Sequence, residues 1–294
     1  FIIYVNMLTW PVTSIGWVTS IVQTAAASQK RINEFLSERN DIISKNLSKK
    51  SIIGSISFQN VSFEYKNQQI LDGINFEIKK GDFLGIIGNI GSGKSTLLQL
   101  ICRFLNLKKG EIRIDEELIE NFDIQYLRSH VSYVPQESFL FSDTIRNNLL
   151  FGNNNASDLE LSKVLDTVCM SHDVSKFKLG LETYIGERGV TLSGGQKQRL
   201  NIARALLKSS SILLIDDSLS NIDVENEQKI LSNIYSLKGK KTTLIVSNRV
   251  SSISKCNQIL VLNDGKIIEK GGHDELLKLD GYYKKIHDIQ TITF

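Results

Sequence analysis

The chain has 294 residues, of which 41% are hydrophobic and 23% charged, with a net charge of +3. That provides for one large domain or two small ones with a substantial core and excludes a disordered chain, while the weak charge gives no footing for nucleic-acid binding. Its three cysteines, Cys102, Cys169 and Cys256, are far apart and odd in number, which suits a reducing compartment and argues against a disulfide framework or a clustered zinc site.

The chain opens at Phe1 rather than Met, which reads as a fragment. No charge occurs from Phe1 to Gln29, and the basic pair Lys30-Arg31 follows. Roughly 20 apolar residues cross a bilayer, and basic residues mark its cytoplasmic side. Residues 1–29 are therefore expected to be the end of a last transmembrane helix, with other spans upstream. A signal peptide and a buried soluble helix are the alternatives; the first lacks a positive n-region and its apolar run is too long. Residues 30–53 are expected to be an amphipathic connector (KRINEFLSERNDIISK) and a polar linker (NLSKKS).

From Ile56 the texture changes. Ile56–Phe58, Val61–Tyr65 and Ile74–Ile78 alternate with period two and predict antiparallel strands. Phe83–Ile87 predicts a buried strand and Lys94–Leu105 a helix. A mixed helical region spans about 137–192. A helix over Ser193–Lys208, a strand over Ile212–Ile215, a helix over Val224–Leu237 and a strand over Thr243–Val246 follow. Asp264-Gly265 predicts a hairpin turn. Strands alternating with helices imply an α/β fold with a parallel sheet.

Gly88-Asn89-Ile90-Gly91-Ser92-Gly93-Lys94-Ser95-Thr96 fits G-x-x-x-x-G-K-[ST] between a predicted strand and a predicted helix. Glycines let backbone N–H groups turn toward phosphate oxygens, and the helix dipole favours the same anion. Lys94 can reach the β- and γ-phosphates of ATP, and Ser95 can coordinate Mg²⁺. An acid leaving the apolar strand Ile212–Ile215 supplies the opposing hard oxygen, so Asp216 is the metal-side carboxylate. Asp217 then orients or activates the attacking water.

Leu192-Ser193-Gly194-Gly195-Gln196 precedes a helix with Leu200, Ile202, Ala203, Leu206 and Leu207 on its apolar side. Ser193 there is also a good N-cap. With GNIGSGKST before it and LLIDD after it, the trio resembles the ATP-binding cassette (ABC) of exporter-type half-transporters over about 56–286. The resemblance implies a P-loop NTPase: a RecA-like core, an antiparallel β-subdomain and a helical signature subdomain over 54–290, preceded by the end of a transmembrane helix. It also implies a membrane location with the cassette on the cytoplasmic face, and a second half-transporter whose nucleotide faces Ser193, Gly194, Gly195 and Gln196. By the same resemblance Tyr65 stacks on adenine, and Gln136 senses Mg²⁺ and touches the membrane domain. Glu187-Arg188-Gly189 touches coupling helices, and Asp223 closes a segment reaching across the dimer. His273 belongs to the exporter-like tail and is not assigned to catalysis.

Two positions depart from the family pattern. Asp217 stands where the pattern has Glu, retracting the carboxylate by roughly 1.5 Å, and a 1 Å misplacement can cost on the order of 100-fold. Asn248 stands where it has His; Asn donates a hydrogen bond but carries no proton. Together they suggest a site that binds ATP and hydrolyses it slowly, in the degenerate half of a heterodimer. A homodimer with a working Asp217, a soluble non-transport ABC ATPase and a regulatory module without turnover are the alternatives.

Overall fold

The protein is described by a computed structural model covering residues 1–38, 42, 48–66, 68–189 and 191–292. It divides into two compact units, Phe1–Ile43 and Ser44–Phe294. In the first, α1 (Ile2–Ser37) is one continuous helix with Pro11 inside it and no buried residue. The helix runs on through Lys30 and Arg31 into the segment expected to be the amphipathic connector, because good helix formers follow without Gly or Pro. Thr9, Thr13, Thr19 and Thr24 donate their hydroxyls to the carbonyls of Val5, Thr9, Ile15 and Ser20. These threonines, with the serines and amides between them, dilute the apolar run. No helix among the described residues is long and apolar enough to cross a membrane. Residues 39–41 and 43–47, in the expected connector and linker, lie outside the described residues.

The second unit starts with an antiparallel pair, β1 (Ile56–Tyr65) and β2 (Gln68–Ile78). The two short strands expected over Ile56–Tyr65 are one strand, with register shifts between Phe58 and Val61 that interrupt the alternation. Strand β3 (Phe83–Gly88) leads through the glycine-rich loop into α2 (Lys94–Ile101). That helix ends earlier than predicted because Arg103 takes a left-handed φ of 49° and Phe104 N–H turns back to the Gln99 carbonyl at 2.9 Å. Next come β4 (Lys109–Ile114), β5 (Glu117–Leu118), α3 (Ile124–Ser129) and β6 (Val131–Val134). The helical region holds α4 (Ile145–Leu150), α5 (Asp158–Thr167) and α6 (Ser171–Lys176), and then α7 (Gly194–Leu207). Strand β7 (Ile212–Asp216), α8 (Val224–Tyr235), β8 (Thr242–Val246) and α9 (Val250–Ile253) follow. The Asp264-Gly265 turn, with φ of 45° and 74°, joins β9 (Gln258–Asn263) to β10 (Lys266–Gly271). Helices α10 (His273–Lys278) and α11 (Tyr282–Ile292) close the unit.

Strands pair in the order β10-β9-β3-β8-β7-β6, parallel from β9 to β6, with β10 antiparallel. A second, antiparallel sheet runs β2-β1-β4-β5. Every residue of β3, β7 and β8 is buried, because the parallel sheet is covered on both faces. Leu84, Ile86, Leu214 and Leu244 join one core with the antiparallel sheet, while Phe83, Ile87, Ile215 and Ile245 join another with the helical region.

Lys241 sits where β8 begins, its ammonium donating to the Lys208 carbonyl at 2.8 Å and the Ser210 hydroxyl at 3.3 Å. Burial, and secondarily the Lys208 charge, push its pKa down from 10.5 to about 8. Folding therefore favours its neutral form. The penalty for the charged form applies in full below about pH 8 and is relieved as pH rises toward 10.5. In denaturant unfolding at pH 7 and pH 10, the stability difference between the native chain and Lys241→Met should move in favour of the native chain at the higher pH. A pH-independent difference refutes this.

Candidate functional site

Four neighbouring parallel strands, β3, β8, β7 and β6, end on the same edge of the sheet. Those carboxyl ends and the loops leaving them carry, in turn, the glycine-rich segment, Asn248, Asp216 with Asp217, and Gln136. This is where open α/β sheets place their ligands. A cavity of about 300 Å³ opens there, lined by Gly91, Gly93, Lys94, Ser95, Thr96, Gln136, Asp216, Asp217 and Asn248, with Ile70, Ile90 and Val246.

Packing accounts for two glycines of the loop. A Cβ on Gly88 would lie 2.0 Å from the Leu262 carbonyl oxygen, and Gly93 combines φ 94° with a Cβ position 2.6 Å from Leu71 Cδ2. Lys94 Nζ donates to the carbonyls of Gly88 and Asn89, each at 2.7 Å. Burial pushes its pKa down, opposed by Asp217 and Asp216. Ser92 is buried, and its hydroxyl has no hydrogen-bond partner. Asn89 donates to Asn263 Oδ1 at 3.2 Å and accepts from the Tyr282 hydroxyl.

The acids sit in different settings. Asp216, 3% exposed, accepts from Ser95 Oγ at 2.9 Å and from the Tyr133 hydroxyl at 3.0 Å. Burial raises its pKa, tempered by those two donors and by Lys94. Burial also raises that of Asp217, most strongly offset by a hydrogen bond from the Asn248 backbone. Asp217 has a left-handed φ of 44°, and its backbone N–H donates to the Val246 carbonyl at 3.0 Å. Asn248 Nδ2 donates to Asp217 Oδ2 at 2.8 Å, which ties the two departures from the family pattern directly together.

The remaining expected residues lie elsewhere. Tyr65 ends β1, 56% exposed, and does not line the cavity. Ser193 caps α7, accepting from Gln196 N–H at 3.2 Å, while Gln196 Oε1 accepts from Ser193 N–H at 3.0 Å. Gln196 also reaches Asp173 at 3.2 Å, and a Cβ on Gly195 would stand 3.0 Å from the Asn221 carbonyl. This signature helix is thus packed against the segment after β7 and does not line the cavity. Asp223 caps α8 through Asn226 N–H at 3.0 Å. His273 bonds the Tyr283 hydroxyl at 2.8 Å.

Tyr133 and Arg249 are two residues that the motifs did not reveal. Arg249 pairs with buried Glu227 and donates to the Ser220 carbonyl at 3.2 Å, bridging the loops after β8 and β7. Their sequence signal is slight: a tyrosine within Val131–Val134, and an arginine next to Asn248.

A glycine-rich loop between β3 and α2, facing carboxylates at the end of β7, defines a P-loop nucleoside triphosphatase. The ABC transporter family pattern matches residues 71–220. The chain is 39% identical over 294 residues to the ABC transporter ATP-binding protein YknU of Bacillus subtilis, covering 99% of this chain and 50% of that one. It is 37% identical over 290 residues to an ATP-dependent lipid A-core flippase of Pseudomonas fluorescens, covering 98% and 48%. A bacterial Atm1-family ABC exporter solved with ATP bound superposes with a TM-score of 0.86 at 33% identity, covering 98% of this chain and 51% of that one. The chain belongs to the ABC transporter family, whose ATP-binding domains are ATPases. It spans about half the length of the curated relatives it matches.

Proposed function

We propose that this chain is the ATP-binding and ATP-hydrolysing part of a membrane ABC exporter, and that it forms the degenerate half of a heterodimer. Backbone N–H groups of the 88–93 loop and Lys94 would hold the phosphates, and Tyr65 would stack on adenine. Ser95, Asp216 and Gln136 fit Mg²⁺: they are hard oxygen donors on one cavity, two of them already within hydrogen-bonding distance of each other. A metal ion held by these residues would neutralise phosphate charge. Tyr133 holds the Asp216 carboxylate in place. Ser193, Gly194, Gly195 and Gln196 would face the partner's nucleotide, as a helix N-terminus meeting an anion. The helix α1 would adjoin the membrane part of a longer protein, with the cassette on the cytoplasmic face.

The observation carrying the slow-site reading is the Asp217–Asn248 hydrogen bond. Asn248 spends one of its two amide hydrogens on Asp217, leaving the other for the γ-phosphate. Neither hydrogen can be passed on as a proton at neutral pH. The short Asp217 carboxylate is left to position water alone.

An ATPase assay of the full-length chain, alone and with candidate partner half-transporters, tests this. The expected result is Mg²⁺-ATP retention with low turnover alone and high turnover in the mixed pair. High turnover without a partner rejects the heterodimer, and failure to retain Mg²⁺-ATP rejects the site.

A further inference from the structure

We infer that Gln290, near the end of α11, is a positioning residue for the loop that presents Asn248 to the cavity; the inference rests on the nucleotide site proposed above. Its side-chain amide grips the backbone on both sides of Arg249. Gln290 Nε2 donates to the Asn248 carbonyl at 2.7 Å, and Gln290 Oε1 accepts from Val250 N–H at 2.8 Å. An amide that donates and accepts across two residues reproduces the pairing of a β-strand edge, in a loop that has left its strand.

The rest of the loop is held from other directions. Ser247 N–H donates to the Ile86 carbonyl at 3.1 Å, anchoring the loop's first residue to β3. Arg249 is anchored through Glu227 and Ser220. The carbonyl of Asn248 accepts from Gln290, while its side chain donates to Asp217 Oδ2 at 2.8 Å. Fixing that carbonyl fixes the peptide plane from which the side chain swings. The first residue of the same helix, Tyr282, reaches Asn89 in the phosphate loop. α11 therefore ties together two of the loops around the cavity.

Because Asn248 lacks the reach and the second ring nitrogen of a histidine, its backbone placement decides whether its amide meets the phosphate. Gln290 acts through Asn248 and touches no substrate.

The test uses the full chain in its active assembly, with Gln290→Ala and the near-isosteric Gln290→Glu. For Gln290→Ala the Val250 amide should exchange roughly 5- to 10-fold faster, the loss of one hydrogen bond. Turnover at this chain's own site should fall roughly 10-fold, with the KM for ATP within about 2-fold. This site is read in assemblies whose partner site is inactivated. Gln290→Glu keeps an acceptor for Val250 N–H but sets an oxygen against the Asn248 carbonyl. It should preserve Val250 exchange and still lower turnover. Unchanged Val250 exchange in Gln290→Ala overturns the clamp. Unchanged turnover in both variants, or exchange rising equally throughout the parallel sheet, overturns the positioning role. The exchange measurement needs no nucleotide, so it decides the clamp even where absent ATP binding refutes the site itself.

Discussion

Replacing Asp217 by Glu is expected to raise ATP hydrolysis at this chain's own site by roughly 10- to 100-fold, the amount a 1 Å correction of a catalytic group can return. The extra methylene extends the carboxylate toward the phosphates while keeping its charge. It also releases the group from the 2.8 Å bond to Asn248 that now holds it back. There is an opposing cost. Position 217 has a left-handed φ of 44°, which Asp tolerates better than Glu, so about 1 kcal/mol of stability should be lost. The two effects separate cleanly, because one is read in turnover and the other in the unfolding midpoint. Asp217→Asn is the control: it has the same length without the charge and should lower turnover further. Adding Asn248→His to Asp217→Glu should give more than the sum of the single changes, because the residues touch. Turnover that stays flat in Asp217→Glu and in the double variant would mean that carboxylate reach does not limit this site.

What the sequence revealed follows the burial of each element. The strands at Phe83–Gly88 and Ile212–Asp216 were legible because both faces are covered, so their apolar residues run without a break. Strand β4 was not: Lys109, Gly110 and Glu111 are exposed, leaving only Ile112 and Ile114 as apolar signal. The four-residue β6 is too short for any period to show. The glycine-rich loop and both acids were legible because their chemistry demands particular residue types at fixed spacing. Tyr133 was not, since its role comes from register. It pairs with Leu214, which puts it diagonally across from Asp216 on the same face. The end of α2 was hidden for a similar reason. Arg103 turns the chain because its guanidinium reaches the Phe122 carbonyl at 3.1 Å, a contact from a distant part of the chain.

The asymmetry of the proposed pair gives a prediction of comparable size that turns on which assembly member carries the change. Ser193→Arg in this chain should lower hydrolysis by the mixed assembly on the order of 100-fold, whereas Lys94→Ala in this chain should lower it by less than about 3-fold. Ser193 caps α7, whose N-terminus is suited to meet an anion on an opposing subunit. An arginine there obstructs that approach and places a cation at the positive end of the helix dipole. In the proposed pair Lys94 would serve only this chain's own site, so its loss would leave the partner's site nearly intact. The order should reverse when the equivalent changes are made in the partner. Part of the Ser193 effect is structural, since losing the cap costs about 1 kcal/mol. Ser193→Ala, which removes the cap and the hydroxyl without adding bulk or charge, should lose turnover by an amount between the native chain and Ser193→Arg. Equal losses from Ser193→Arg and Lys94→Ala would instead describe two equivalent sites working in alternation, and with them a pair in which Asp217 is as competent as its counterpart.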